Sequence, residues 1–373
     1  MKKQGLVIIV GILLVFTLLA GCNQKIDNLG NNQGQEQQEQ TNNASTRVVK
    51  DMSGRDVEIP VKIEKVFSTS STGSAVIYTL APQKLVGWNS ELRENEKPFI
   101  APEYQALPDL GRWKGTTYTG NNEELLKAAP DLIISVGDVS EEYIGEAEEI
   151  QNQLDIPVLM VDGSLKNTGA AYRFLGEIMG EAARAEKLAA YCDRTLETIT
   201  ANLQALADAE KVAVYYGQGA EGLETEVSGT VNSEAFDISG AKNVAIPATA
   251  GVRRMQVSLE QILKWDPEVI IISTDGDKNH LLYNNILNDK GWAEVKAVKN
   301  KEVYEIPGDP YDWINRPPSV VRFIGVRWLA SLLYPDIIQS DIQTDIKEFY
   351  SLFYRYEISE QEIETLLVNS MRK

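Results

Sequence analysis

The chain has 373 residues, with 54 acidic and 36 Lys or Arg side chains and a formal net charge of −18. So acidic a surface argues against nucleic-acid partners and direct adsorption to anionic lipid, although a few arginines in a cleft would still attract an anionic ligand. The length exceeds what one hydrophobic core usually serves, so two lobes are expected.

The first residues have the features of a secretory signal. Lys2 and Lys3 precede an apolar run from Leu6 to Ala20. This run of 15 residues is shorter than the roughly 20 that a membrane-spanning helix needs. Residues 1–21 are therefore predicted to be a signal peptide.

The signal ends in Leu19-Ala-Gly-Cys22, which resembles the bacterial lipobox. The resemblance implies acylation of Cys22 and lipid anchoring at the outer face of the cytoplasmic membrane. Residues 22–46 are rich in Asn, Gln and Gly and poor in apolar side chains, so they are predicted to be a disordered tether. Cys192, the other cysteine, is expected to be a core residue.

Strand-like and helix-like segments alternate after the tether. Residues 48–60 predict a hairpin around Ser53-Gly54. Strands are then predicted at 65–68, 84–88, 131–136 and 157–161, and helices at 74–80, 123–129 and 142–154. This alternation indicates a mostly parallel sheet covered by helices, in an N-terminal lobe of residues 47–181.

A helix between two lobes is predicted at residues 182–208, because this segment is rich in Ala, Leu, Glu and Arg and contains no Gly or Pro. The same alternation of strands and helices is predicted again in a C-terminal lobe of residues 209–339. Its predicted strands are 211–216, 269–273 and 302–306, and its predicted helices are 233–239, 259–265 and 319–333. Residues 340–373 are predicted to form a helical tail.

An internal repeat supports the two-lobe prediction. Residues 123–134 align with residues 260–271 at a constant offset of 137, and six of twelve positions are identical. Each copy predicts a helix, a turn marked by Pro130 or Pro267, and a buried strand. Junctions of this kind also resemble one another by chance, but the leading Glu and the shared Lys are not needed for the turn.

These features, in this order, resemble the periplasmic-binding proteins of the iron-siderophore and vitamin B12 type. The likeness rests on the lipobox, the long helix, the segment Gly240-Ala-Lys-Asn-Val-Ala245 and the repeated Glu-containing segments. It implies an α/β fold of two Rossmann-like lobes with mainly parallel sheets, joined by one long helix, which is the class III periplasmic-binding fold. It also implies a monomer that holds ligand between the lobes and delivers it to the permease and ATPase subunits of an ABC importer. In that family one surface glutamate per lobe pairs with permease arginines, and the matching positions are Glu123 and Glu260.

Aromatic and arginine side chains follow several predicted strands, where ligands bind in open α/β sheets. The candidate ligand contacts are Trp88, Arg112, Trp113, Tyr118, Tyr216, Arg253, Arg254, Trp313 and Arg316. Rings would pack on the ligand, and guanidinium groups would neutralise its oxygens. The alternative for each aromatic residue is a place in the core, and for each arginine a local acidic partner.

The sequence has a single histidine, His280, which argues against a free metal ion as the ligand. Sites for free Zn²⁺ or Mn²⁺ usually need several histidines, so no metal ligand and no cofactor is predicted. A metal chelate, first a ferric siderophore, is the expected ligand. Molybdate or tungstate, haem bound through Tyr, and a corrinoid are the alternatives within this fold.

Parts of the sequence are also compatible with two other classes of protein. Gly217-Gln-Gly-Ala-Glu-Gly222 matches the dinucleotide pattern of a nucleotide-binding enzyme, but an extended, acidic segment follows instead of a helix. The chain is therefore predicted not to be an enzyme. A surface sensor or adhesin without a transport role would have the same fold and anchor.

Overall fold

A computed structural model describes residues 45–114, 118–249, 251–274 and 277–372. The predicted signal peptide, the lipidation site Cys22 and nearly all of the predicted tether lie outside these residues. Residues Ala44–Lys373 form one compact unit.

The N-terminal lobe begins with the predicted hairpin, in which β1 (Thr46–Lys50) and β2 (Asp56–Pro60) pair antiparallel. A parallel sheet follows in the order β3 (Val66–Ser68), β4 (Leu132–Gly137) and β5 (Val158–Asp162). Its helices are α1 (Ser71–Leu80), α2 (Pro102–Gln105), α3 (Asn122–Ala128), α4 (Glu141–Leu154) and α5 (Thr168–Met179). All residues of β3 and the first five of β4 are buried, as expected for a sheet covered on both faces.

The two lobes are joined by α6 (Ala182–Leu203), a single helix of 22 residues. Gly180, with a φ of 73°, ends α5 in the left-handed conformation and separates it from α6. The helix stops at Leu203, before the predicted end at residue 208. Cys192 is fully buried on this helix, and burial raises the pKa of its thiol.

The C-terminal lobe contains the second parallel sheet. The strands of this lobe are β6 (Ala213–Gly217), β7 (Glu224–Glu226), β8 (Lys242–Asn243), β9 (Arg254–Gln256), β10 (Val269–Ile272) and β11 (Val303–Glu305). The parallel order is β11-β10-β6-β8, and β7 and β9 form a separate antiparallel pair. The helices are α7 (Glu234–Ile238), α8 (Leu259–Trp265), α9 (Leu281–Asn288), α10 (Lys296–Lys299) and α11 (Arg322–Leu333).

The internal repeat has the same local structure in both lobes. Asn121 caps α3 and Ser258 caps α8, each through a side chain that accepts a backbone N–H. Each helix ends in a left-handed residue, Ala129 or Asp266, just before the proline. Buried strands β4 and β10 then begin at equivalent positions. Caps, helix ends and strand starts therefore all keep the offset of 137 residues seen in the sequence.

The C-terminal segment packs against both lobes. It comprises α12 (Ile342–Phe349), a π-helical turn (Tyr350–Tyr354) and α13 (Glu360–Leu366). The buried rings of Tyr350 and Phe353 lie 5.1 Å from Phe99 and 6.2 Å from Tyr172, respectively, in the N-terminal lobe. The chain then returns to the C-terminal lobe, where the Trp328 indole donates to the Ser370 carbonyl at 2.7 Å. This segment therefore contributes to a core that is continuous through both lobes.

The structure also differs from the predictions for residues 84–88 and 319–333. Residues 84–88 form only isolated bridges from Leu85 and Trp88, since a 3-10 turn at Pro82–Lys84 interrupts the chain before an extended run can form. Helix α11 begins at Arg322 instead of residue 319, after the sequence Pro317-Pro318.

Candidate ligand-binding site

A cleft of about 780 Å³ lies between the two lobes. The N-terminal lobe lines it with residues from the segments 70–74, 88–96 and 112–114. The C-terminal lobe contributes Glu226, Asn232, Arg254 and residues of the segment 311–318. Most of these segments lie in loops or at helix starts, which is where ligands bind in α/β folds.

The start of α1 forms part of the cleft wall. A Cβ at Gly73 would collide with the Ser68 side chain, so glycine is needed for α1 to begin this close to the end of β3. The first turn contains no acidic side chain, and Ser70 makes no capping bond. Among the described residues, the buried Ser70 Oγ has no hydrogen-bond partner. First-turn N–H groups lack intrahelical acceptors and lie at the positive end of the helix dipole, so this wall is suited to an anion.

Asn89 holds three parts of this wall together. Its amide Nδ2 donates to the carbonyls of Ser68 at 2.8 Å and Gly111 at 2.9 Å. Its Oδ1 accepts a 2.6 Å hydrogen bond from the Ser74 hydroxyl of α1. Because Asn89 is buried, these bonds fix the position of α1 relative to the loop that carries Arg112.

Of the residues that the structure describes, five cationic and three acidic side chains line the cleft, so this part of its wall is locally positive although the chain is strongly acidic. The cationic side chains are Arg93, Arg112, Lys114, Arg254 and Arg316, and the acidic ones are Glu91, Glu96 and Glu226. Convergent cations in a partly desolvated cleft favour binding of an anion.

Lys114 differs from the other cations. Its Nζ is buried 4.1 Å from the centre of the Tyr143 ring and has no hydrogen-bond partner among the described residues. Burial lowers the pKa of Lys114, while Glu146 and Asp138 act in the opposite direction. An anion in the cleft would offer the Lys114 ammonium the hydrogen-bond acceptor that it lacks among the described residues.

The cations of the C-terminal lobe already have protein partners. Arg254 forms a 2.5 Å ion pair with Glu224 on the neighbouring strand. The Arg316 guanidinium donates to Gln218 Oε1 at 2.8 Å. These contacts orient both guanidinium groups, and each already has an acceptor in the protein.

Four of the nine predicted ligand contacts line the cleft: Trp88, Arg112, Arg254 and Arg316. Trp88 is largely buried, and its indole donates to the Tyr104 carbonyl at 2.8 Å, so it acts mainly as a wall. Tyr118 is exposed and lies at the edge of the Trp113 ring, with 5.5 Å between ring centres. Arg253 is outside the lining residues and forms a 3.0 Å ion pair with Asp138 of the other lobe.

Three predicted aromatic contacts lie in the core instead of the cleft. Trp113 packs in the N-terminal lobe and donates its indole N–H to the Leu110 carbonyl at 3.0 Å. Tyr216 packs on Phe236, and Trp313 donates to the Tyr350 hydroxyl at 3.3 Å. All three are buried, because an aromatic ring near a strand end gains as much by packing inward as by facing a ligand.

Sequence reasoning missed several lining residues, including Ser70, Ser71, Thr72, Lys114 and Asn315. A signal was present in the run of hydroxyl side chains from Ser68 to Thr72, which extends from the last residue of β3 into the first turn of α1. Hydroxyl groups at a helix start are ordinary caps, which is why this run attracts little notice.

Behind the cleft, buried polar contacts join the lobes. The Arg322 guanidinium donates to the Gly163 carbonyl at 2.7 Å and pairs with Glu234 at 3.3 Å. Glu234 also accepts the Leu165 N–H at 3.0 Å. Burial lowers the pKa of Arg322 to about 10, which leaves its guanidinium charged at neutral pH. These contacts restrict how the lobes move relative to each other.

The predicted docking residues Glu123 and Glu260 lie in the first turns of α3 and α8. Both are exposed, and the Glu123 side chain forms a 3.1 Å ion pair with Lys127. A helix that precedes a parallel strand runs antiparallel to it, so each first turn lies near the carboxyl edge of its sheet, where the cleft is also found.

The match of this two-lobed fold to known proteins defines its class. Residues 98–310, more than half of the chain, match the periplasmic binding protein family. A solved ABC transporter solute binding protein from Sulfurospirillum deleyianum is 31% identical, with a TM-score of 0.78, and the match covers 86% of this chain and 99% of that one. The chain therefore belongs to the periplasmic binding protein family, and it is an ABC transporter substrate-binding protein, not an enzyme.

Two curated relatives extend the comparison. The molybdate-binding protein MolA of Haemophilus influenzae is 27% identical over 340 residues, which cover 83% of this chain and 91% of the relative. The uncharacterized ABC transporter substrate-binding lipoprotein YvrC of Bacillus subtilis is 26% identical over 342 residues, which cover 90% and 98%. Within the described residues, no helix is long and apolar enough to cross a membrane and no cluster of three or more His, Cys, Asp or Glu is arranged to hold a metal.

Proposed function

We propose that this protein is a lipid-anchored, extracytoplasmic binding protein of an ABC importer that captures an anionic, metal-containing solute between its lobes. The observation that carries the proposal is that one cleft brings together the start of α1 and five of the described cationic side chains, and that the Ser70 hydroxyl at this helix start has no partner within the described part of the chain. Lipid anchoring through Cys22 accords with the name of the Bacillus subtilis relative.

A tetrahedral metal oxyanion, molybdate or tungstate, is the first candidate ligand. Backbone N–H groups at the start of α1, the Ser70 hydroxyl, Arg112 and Lys114 offer hydrogen bonds and positive charge to a compact anion. The Haemophilus influenzae relative is named as a molybdate-binding protein, which supports this choice.

A ferric siderophore is the second candidate, favoured by the size of the cleft. A volume of about 780 Å³ is within the range of sites for drug-sized ligands and larger than a bare oxyanion needs. The same cations would neutralise hydroxamate, catecholate or carboxylate oxygens. Haem and corrinoids are less favoured, because the aromatic lining residues Trp88 and Tyr311 are buried and offer little flat apolar surface.

Tryptophan fluorescence of the compact unit Ala44–Lys373 tests the proposal, since Trp88 lies in the cleft wall. The protein would be titrated separately with molybdate, tungstate, ferric siderophores, haem and cobalamin. We expect saturable quenching by molybdate and tungstate, with sulfate as the control anion. Saturation by a ferric siderophore alone would establish the second candidate, and no response from the folded protein to any of these ligands would contradict both.

We further propose that Glu123 and Glu260 orient the protein on its permease. Two like charges at equivalent positions of two lobes suit a partner built from two related subunits. Ion pairs at the rim of an interface increase the association rate and fix orientation more than they increase affinity.

A further inference from the structure

Two exposed leucines occupy equivalent positions in the lobes. Leu126 on α3 is 51% exposed and Leu263 on α8 is 38% exposed. They are separated by 137 residues, the offset of the internal repeat. A single exposed leucine is ordinary on a protein surface, but these two recur at the same point of a repeated unit.

Packing does not account for these leucines. Each directly follows a fully buried residue, Leu125 or Ile262, which supplies the contact of its short helix with the core. Among the described residues, neither Leu126 nor Leu263 joins the buried clusters or the residues packed against them. Other positions of the repeat differ, such as Ala128 and Trp265. Leucine is thus repeated at a place where the fold does not require it.

The leucines are close to the glutamates proposed to dock on the permease. Leu126 is three residues after Glu123, and Leu263 is three residues after Glu260. Residues separated by three lie on the same face of a helix. Each lobe therefore presents one acidic and one apolar side chain together, on a helix whose first turn lies near the edge of the sheet that borders the cleft.

We propose that Leu126 and Leu263 are paired apolar contacts with the two permease subunits, each seated in an apolar depression beside the basic residue that receives the neighbouring glutamate. This inference rests on the proposed function, because it takes the importer's permease as the partner. Charge complementarity argues for this occupant: an exposed acidic group beside each leucine selects a basic surface with an apolar pocket. The rim charges would set orientation, and the desolvated leucines would slow dissociation.

The test uses the full chain and its cognate permease–ATPase complex in nanodiscs, with affinity measured by biolayer interferometry at low and high salt. We expect Leu126→Ser and Leu263→Ser each to weaken binding about fivefold, and the double variant about 25-fold, because each loses part of a buried leucine contact. The loss should be the same at both salt concentrations, whereas the effect of Glu123→Ala and Glu260→Ala should shrink at high salt.

Ile337→Ser is the matched control, because Ile337 is 42% exposed and outside the repeat. It closely follows Tyr334, whose hydroxyl accepts the Val212 N–H next to the amino end of β6, away from the cleft. This variant should bind within twofold of the unaltered chain. All variants should keep the unaltered thermal midpoint, since the leucines are not core residues.

Three results would overturn the inference. If the double leucine variant binds like Ile337→Ser, the leucines are not contacts, although the importer role stands. If only one leucine matters, the paired contact is wrong. If the unaltered chain does not bind the complex, both the leucine contacts and the proposed docking fail.

Discussion

The two lobes share one supersecondary unit but contribute differently to the cleft. The N-terminal lobe supplies a helix start, the Ser70 hydroxyl, which no described residue bonds, and the buried ammonium of Lys114. The C-terminal lobe supplies Arg254 and Arg316, which already bond Glu224 and Gln218. A repeated fold therefore need not carry a repeated site: we infer that the N-terminal lobe supplies the main anion-binding groups and the C-terminal lobe a positioned second wall.

The largest effect of mutation is expected at Glu123 and Glu260, which occupy equivalent positions in the two lobes. Replacing both Glu123 and Glu260 with Ala should reduce uptake into cells to background while leaving ligand affinity unchanged, because docking would lose both orienting charges. Uptake of labelled ligand and fluorescence titration measure the two properties separately. The control is Glu197→Ala with Glu364→Ala, two exposed glutamates on α6 and α13. Normal uptake by the Glu123 and Glu260 double variant would remove the docking role.

The second-largest effect should show how much each lobe contributes to ligand binding. Arg112→Ala should weaken binding of an anionic ligand about 10- to 150-fold, the loss expected for a charged hydrogen bond of roughly 1.5–3 kcal/mol. Arg316→Ala should cost less, about 3- to 10-fold, because Gln218 already shares its guanidinium. Titration calorimetry with molybdate would compare them, with Arg194→Ala on α6 as the control. An equal or larger loss from Arg316→Ala would reverse the assignment of the lobes.

A pH dependence should come from Lys114. Because burial lowers its pKa and a bound anion would raise it, affinity should be full below the pKa of the free protein and fall as pH rises through the pKa of the complex. Lys114→Met should weaken binding about tenfold at neutral pH and flatten this dependence. Affinity for tungstate measured between pH 6 and pH 10 tests it. An unchanged pH profile in Lys114→Met would exclude this ammonium as the titrating group.

The smallest effect should come from the hydroxyl at the start of α1. Ser70→Ala should weaken oxyanion binding about three- to fivefold, the loss of one neutral hydrogen bond. Because Ser70 makes no capping bond, stability should change little. Thermal melting without ligand checks this expectation, and Ser71→Ala provides a neighbouring comparison. A large drop in melting temperature with unchanged affinity would show that Ser70 is structural.

More of the fold than of the candidate site could be predicted from the sequence. Periodicity and the repeat predicted α8 with its observed bounds, 259–265, because its pattern of buried residues and its proline-marked end are local properties. The prediction of a strand at 84–88 was wrong, because the 3-10 turn at Pro82–Lys84 leaves only isolated bridges from Leu85 and Trp88. Of the predicted contacts, three arginines, Arg112, Arg254 and Arg316, line the cleft, but of the aromatic residues only Trp88 does. A charge must face solvent or a partner, whereas a ring such as that of Trp313 is equally stable inside the core.

The C-terminal segment also determines when the N-terminal lobe can finish folding during synthesis. Phe99 and Tyr172 of the N-terminal lobe pack against Tyr350 and Phe353, which lie near the end of the chain. Chains are synthesised from the amino end, so the first lobe emerges before the rings that cover it exist. Its aromatic face stays open until synthesis is nearly finished. A chain truncated by about 25 residues would therefore lack the rings that pack on its N-terminal lobe. The apolar surface of that lobe would then be exposed to quality-control proteases.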